Sequence, residues 1–314
     1  MSVKIEIPKY IQDTPVALSL YNVKNYEPHC HESSMEFIYC ISGSATLTIA
    51  HEKRHISQGE LVLVEHENIH TISAHEDNLL LSLHINLKDI YIPWDDIAYM
   101  YFSCATAFCR PHQRDDMELV YEAVLDIAYM CLSPQKYDSC CLRRAADHLT
   151  RFIVDKFPWF SIENFSAEDN IQYRDRLNRI LKYIQLNYRE KITLSQLAKA
   201  EYINENYFSQ FIKRTPFNSF TFMLAYIRCY EAEKLLASSS LSIEEISDLC
   251  GFSSRKYFHK YFKYFWESTP FQYRKWLQLQ SKLPNEVTNL PAETSLPIVE
   301  AHICDFNVRR LLKF

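Results

Sequence analysis

Glycine is almost missing from this chain. Of 314 residues only Gly43, Gly59 and Gly251 are glycine, where average usage of about 7% would give roughly 22. A phosphate cradle of the GxxxxGK type, a dinucleotide turn GxGxxG and a nucleophile elbow GxSxG all need glycines a few residues apart, because the backbone must approach a ligand or turn with φ > 0. None of those spacings occurs, which argues against nucleotide-loop enzymes and the common serine hydrolases. The ten cysteines form no CxxC pair, and the opening MSVKIEIPKY has no apolar run of the signal-peptide kind. Both features lead to an expectation of free thiols in a reducing cytoplasm. No stretch reaches the ~20 apolar residues of a membrane helix, since even Leu79-Leu80-Leu81 is broken by Ser82 and His84, so no membrane partner is expected.

What is present divides the chain in two. An apolar content of 47% is ample for packed cores, and this length favours two domains. The net charge of −5 hides an asymmetry: residues 1–170 hold 13 basic and 25 acidic residues, net −12, while residues 171–282 hold 18 and 10, net +8. An acidic module joined to one that meets an anion, most economically nucleic acid, fits this distribution.

From Ala17 to about Leu87, short β-prone runs alternate with turn residues: Phe37–Ile41, Ala45–Ala50, Leu61–Val64, His70–Ser73 and Leu79–Leu87. This spacing predicts a sandwich or barrel. Met117–Cys131 then carries apolar residues at helical period, and a second helix is expected over Cys140–Phe157 with Leu142, Ala145, Ala146, Leu149 and Ile153 on one face. Those two helices complete the β-domain core or form a dimer seam. Phe165–Tyr173 reads as a linker. The stretch LPNEVTNLPAETSLP, with three prolines in fifteen residues, is expected to be extended and mobile.

The basic segment contains an internal repeat. Tyr207-Phe208-Ser209-Gln210-Phe211-Ile212-Lys213 recurs fifty residues later as Tyr257-Phe258-His259-Lys260-Tyr261-Phe262-Lys263. Upstream, Thr193-Leu194-Ser195-Gln196 matches Ser242-Ile243-Glu244-Glu245, and both have the form of a capping box. A short capped helix, a tight turn and a longer amphipathic helix make a helix-turn-helix. The expected buried faces are Leu194, Leu197, Tyr202, Phe208, Phe211 and Ile212 in the first unit, and Ile243, Ile246, Leu249, Phe252, Phe258 and Phe262 in the second. The opposite faces carry Asn204, Glu205, Asn206, Ser209, Gln210 and Lys213, then Ser254, Arg255, Lys256, His259, Lys260 and Lys263. Asn and Gln suit adenine, Arg and Lys suit guanine, and the remaining cations suit phosphates.

On these residues the segment Leu177–Trp276 resembles the AraC/XylS family of bacterial transcription regulators. The second unit carries the resemblance in SIEEISDLCGFSSRKYFHKYFK and STPFQYR, and the joining helix carries it in Arg228, Ala232, Leu235 and Leu236. The resemblance implies two helix-turn-helix units reading successive major-groove segments of double-stranded DNA. Asn206, Ser209, Gln210 and Lys213 would serve the first unit, and Arg255, Lys256, His259 and Lys260 the second. Three positions where the family has glycine hold Tyr202, Phe217 and Glu267, which puts the turn geometry of the first unit in question.

In the acidic half, His29-x-His31-x4-Glu36-x6-Gly43 followed by Gly59-x10-His70 resembles the two motifs of cupin barrels. An H-x-H pair on a strand points both rings to one face, and a His/carboxylate set suits a divalent transition metal. Regulators of the resembled family often carry a cupin-like domain that holds a small effector and need not hold metal, so His29, His31, Glu36 and His70 ligate a cation, line an effector pocket, or are remnants satisfied by hydrogen bonds; these readings stay open.

The expectation is therefore an α+β chain of two domains: a cupin-like sensing barrel over residues 1–110, a helical coupling or dimerisation segment over 111–170, an all-α double helix-turn-helix domain over 171–280, and a tail over 281–314. It is expected to be a cytoplasmic, homodimeric, effector-responsive activator of sugar or other metabolic genes that contacts RNA polymerase, with no catalytic residues and no obligatory cofactor. The alternatives are a cupin metalloenzyme, such as a sugar isomerase or dioxygenase, with an accessory helical domain, and an architectural DNA-binding protein.

Overall fold

The computed structural model describes residues 3–50, 52–92, 113–157, 167–215 and 217–311. Cys104, Cys109 and the end of the segment assigned to the sensing barrel lie outside them. Among the described residues the chain forms two compact units. One is built from 4–92, 113–157 and 282–311, the other from 167–281 together with Val3.

The first unit is a near-closed antiparallel barrel. Its strands are β1 (Lys4–Ile5), β2 (Val16–Cys30), β3 (Ser34–Ser42), β4 (Ser44–Ile49), β5 (Glu52–Ser57), β6 (Leu61–Val64), β7 (His70–Ser73), β8 (Leu79–Asn86) and β9 (Glu286–Asn289). They run in the order β5-β4-β7-β2-β8-β3-β6, with β1 and β9 also paired to β2. Strand β4 alternates with period 2: Ala45, Leu47 and Ile49 are buried while Ser44, Thr46 and Thr48 are only partly so. They meet Ile38, Val62, Ile72 and Leu80 in one apolar cluster inside the barrel. Gly43 closes the β3–β4 turn with φ +71°, and a Cβ there would lie 2.1 Å from the Asp77 carbonyl oxygen, so the turn requires glycine.

Helices α1 (Arg114–Leu132) and α2 (Ser139–Lys156) follow, burying Val120, Val124 and Ile127, then Leu142, Ala146, Leu149 and Ile153. Leu119, expected on the apolar stripe, is instead 43% exposed. The tail departs further from expectation. Part of it is extended as expected but paired, adding β9 to β2 with Tyr21, Asn22 and Val23 opposite Asn289, Thr288 and Val287. It then forms helix α10 (Ala292–Leu311), which packs on α1. The Pro284 carbonyl accepts from Asn25, the Pro291 carbonyl accepts from Thr294 and Ser295 at the start of α10, and Pro297 lies within the second turn of that helix.

The second unit is all helical: α3 (Ala167–Asn187), α4 (Leu194–Ala200), α5 (Glu205–Lys213), α6 (Phe220–Ser238), α7 (Ile243–Leu249), α8 (Arg255–Trp266) and α9 (Pro270–Gln280). Helix α3 begins inside the stretch read as linker, because its polar first turn carries no apolar periodicity to reveal it.

Candidate functional site

Two sites were expected, and each assembles from its own elements. In the helical unit, Thr193/Gln196 and Ser242/Glu245 both close as reciprocal capping boxes at α4 and α7. The two turns are then the same turn. Ile203 N–H donates to Ala198 at 2.9 Å, and Phe252 N–H donates to Ser247 at 3.0 Å. Gly251 takes φ +74° in the second unit, and Tyr202 takes φ +55° in the first. Tyr202 therefore adopts the left-handed turn, and its side chain, expected in the core, is 96% exposed. Leu249 is likewise 45% exposed, displaced outward at the end of α7. Phe208, Phe211 and Ile212 are buried in the first unit, and Ile246, Phe258 and Phe262 in the second.

The second helix of each unit turns its polar face outward. Asn206, Gln210 and Lys213 on α5, and Arg255, Lys256 and Lys260 on α8, are exposed, while Ser209 and His259 are half-buried at equivalent positions. Asn204 and Ser254 are N-caps, accepting from Tyr207 and Tyr257 N–H, which takes their side-chain oxygens out of the reading face. Arg255 Nε lies 3.4 Å from His259 Nε2 one turn on. Partial burial, and then the Arg255 charge, lower the pKa of that imidazole, so its neutral ring accepts from the guanidinium and orients it.

Two arginines of the resembled motif, to which sequence reasoning gave no role, hold the units in place. Arg228 on α6 donates to the Tyr188 and Glu190 carbonyls ahead of α4, and Arg274 on α9 donates to Leu236 and Leu241 ahead of α7. Each satisfies carbonyls that no helix uses.

In the barrel, the spaced motif residues converge. His29 on β2 sits directly opposite His70 on β7, and Glu36 on β3 directly opposite His84 on β8. One donor atom from each of His29, His31, Glu36 and His70 falls within 4.8 Å of all the others, and all four residues are buried. Glu36 Oε2 is 3.1 Å from both His31 Nε2 and His70 Nε2. Its other oxygen accepts from Ser82 Oγ at 2.6 Å and lies 3.6 Å from His84 Nε2. The outer ring nitrogens are committed elsewhere: Nδ1 of His29, His31 and His70 bonds the carbonyls of Glu27, Glu6 and Asn68 at 2.8, 3.0 and 3.0 Å. That arrangement fixes each ring with Nε2 turned inward.

Electrostatics favour an ionised Glu36 and neutral His29 and His84, whereas at His31 burial is outweighed by the hydrogen bond and charge of Glu36, which raise the pKa. Burial pushes the Glu36 carboxyl up, but His84, His31 and His70 outweigh it and hold the group well below the usual carboxylate range. Burial, then neighbouring His70, holds His29 well below the ordinary imidazole value. Burial brings His84 down to about 4. Although His70 Nε2 is near Glu36, it is not aligned for a hydrogen bond, and it is a buried nitrogen without a hydrogen-bond partner. Three inward imidazole nitrogens, one of them orphaned, and an ionised carboxylate fit a divalent transition metal, which would act there as a Lewis acid or a structural centre. Ser82 and His84 escaped sequence reasoning; only the β3–β8 register places them on Glu36.

A helix-turn-helix domain model matches residues 197–275, and a cupin domain model matches residues 23–85. The C-terminal domain of AraT, a response regulator from Geobacillus stearothermophilus, is 33% identical over 32% of this chain and 84% of its own, with a TM-score of 0.30. The chain belongs to the AraC-type helix-turn-helix family. YdeC of Bacillus subtilis, an HTH-type transcriptional regulator, is 21% identical over 81% of this chain and 88% of its own. An HTH-type transcriptional regulator of Staphylococcus aureus is 22% identical over 77% of this chain, which spans only 31% of that relative's length. No described helix is long and apolar enough to cross a membrane.

Proposed function

We propose that this protein is a transcription regulator that binds double-stranded DNA through α5 and α8 and responds to a small effector through its cupin domain. One observation supports this above the others: two equivalent turns present Asn206, Ser209, Gln210 and Lys213, and Arg255, Lys256, His259 and Lys260, on outward faces of a segment with net charge +8. In this reading the polar side chains meet base edges, the cations meet phosphates, and affinity falls steeply with salt. Arg255→Ala with Lys260→Ala is expected to weaken duplex binding at least tenfold and flatten the salt dependence, measured by fluorescence anisotropy. Unchanged binding in that variant would refute the role of α8. Activation of sugar or other metabolic genes, contact with RNA polymerase and a homodimeric state belong to the same proposal.

The cluster in the barrel supports a divalent cation held by His29, His31, Glu36 and His70 as part of the sensor. Metal analysis of the purified protein tests it, with stoichiometric metal lost on His31→Ala as the expected result. The metalloenzyme alternative requires, in addition, substrate turnover that the same variant abolishes.

A further inference from the structure

Strand β1 lies outside the segment matched by the cupin model, yet it is laid along the ligand strand. It pairs in parallel with β2 at the H-x-H itself, Lys4 opposite His29 and Ile5 opposite Cys30. Glu6 follows immediately, and three of its groups are engaged there. Its N–H donates to the Cys30 carbonyl at 2.9 Å, and its carbonyl bonds His31 Nδ1 at 3.0 Å. Its carboxylate Oε2 accepts from Tyr26 Oη at 2.8 Å and stands 3.8 Å from His29 Nε2, the nitrogen turned toward the cluster. The Tyr26 ring in turn stacks on His29, with centroids 4.2 Å apart and 24° between planes.

These distances have a coordination meaning. Around an ion with bonds of about 2.1 Å, donor atoms stand about 3.0 Å apart when adjacent and about 4.2 Å apart when opposite in an octahedral shell. The 3.1 Å separations of Glu36 from His31 and His70 match adjacent positions, and 3.8 Å from Glu6 to His29 lies inside the span of such a shell, while the four-residue set, spread over up to 4.8 Å, would draw in around the ion. A second carboxylate would also add negative charge beside the ion, where the desolvation cost of a net charge is high, with the Lys4 ammonium 3.8 Å away on the solvent side of Glu6.

We propose that Glu6 is a fifth ligand to a divalent transition-metal ion held by His29, His31, Glu36 and His70, so that the β1 arm closes the site. This rests on the metal reading of the cluster. Glu6 acts at two levels: its carboxylate supplies an oxygen donor, and its backbone carbonyl orients His31. Tyr26 is a positioning residue that holds the carboxylate against His29.

Cobalt(II) titration of the full chain tests the proposal, reading both affinity and the ligand-field absorption spectrum. Glu6→Gln keeps the backbone contacts to Cys30 and His31 and removes the anionic donor, together with its solvent-exposed ion pair to Lys4 at 3.8 Å. It is expected to weaken cobalt binding about 10- to 100-fold and to alter the ligand-field bands as an anionic oxygen is lost. Glu6→Asp is expected to recover part of both, and Tyr26→Phe to retain the wild-type spectrum with a smaller loss of affinity. Wild-type affinity and spectrum in Glu6→Gln, with binding abolished by His31→Ala, would overturn the role of Glu6 and leave the four-residue site standing. Failure of the wild-type chain to bind cobalt at all would overturn both.

Discussion

At residue 202 a tyrosine occupies backbone space that glycine normally fills. A non-glycine residue in the left-handed region costs about 1–2 kcal/mol through the clash of its Cβ with the neighbouring carbonyl. Tyr202 recovers nothing by packing, since its side chain lies almost wholly in solvent. Tyr202→Gly is therefore expected to stabilise the helical unit by about 0.5–1 kcal/mol, the gain limited by the greater freedom of glycine in the unfolded chain. A denaturant melt that leaves the midpoint unchanged or lowers it would contradict this. The matched turn behaves oppositely. A Cβ on Gly251 would stand 2.6 Å from the Arg189 carbonyl oxygen and 2.8 Å from that of Tyr188. Gly251→Ala is expected to destabilise by about 2 kcal/mol or more, because backbone must shift as well as turn. Of the three places where the family pattern has glycine, Tyr202 and Glu267 do take positive φ. The third falls on Asn218, one residue beyond the expected Phe217, because Phe217 is drawn into the core. Asparagine tolerates that conformation better than phenylalanine, and a one-residue displacement of this kind is settled by packing that no local pattern carries.

At the scale of elements, what was legible is what is decided within a few residues. The capping boxes of α4 and α7 close through side chains three positions apart, and the alternation in β4 reports its own inward face. Histidine 84 shows the contrary case. Its place beside Glu36 follows from the pairing of β3 with β8, which sets residues 48 positions apart opposite one another, and no spacing rule encodes that register. The joint of α6, α8 and α9 was equally hidden. Glu233 of α6 is buried there, accepts from the Tyr273 hydroxyl and lies among Trp266 and Phe262. Burial lifts its carboxyl pKa to about 7, the Tyr273 hydrogen bond only partly opposing the rise. The folded state therefore binds a proton that the unfolded chain releases above its ordinary value of 4.5, and stability falls as pH rises from about 4.5 through 7. The shift corresponds to about 3 kcal/mol as an upper limit. Glu233→Gln is expected to abolish this dependence, so that variant and wild type draw apart in stability between pH 5 and pH 8 in favour of the variant. Parallel stability curves for the two proteins would refute the assignment.

Over the whole molecule, β2 is the strand on which distant parts of the sequence meet. Its first half pairs with β8 and its second half with β7. The N-terminal β1 lies at His29 and Cys30, and β9, drawn from beyond the helix-turn-helix units, lies at Tyr21 to Val23. The proline-rich stretch concealed this role because composition reports flexibility in the isolated chain, whereas the open backbone groups of β2 and the surface of α1 supply the partners that order it. Val299 of α10 is fully buried, and Tyr39 of β3 and His302 of α10 share a hydrogen bond of 2.8 Å. Burying a valine side chain is worth about 1.5–3 kcal/mol and such a hydrogen bond about 0.5–1.5 kcal/mol. Deleting residues 282–314 is thus expected to cost the barrel unit on the order of 3 kcal/mol, while the helical unit is expected to keep its stability. Hydrogen exchange separates the two. Amides of β2 from Tyr21 to Val23, and those of β3 near Tyr39, should exchange faster in the truncated chain, and those of α6 and α8 should not. Equal protection of β2 in the two proteins would show that the returning segment rests on the barrel without stabilising it, and faster exchange across α8 as well would show that the tail supports both units.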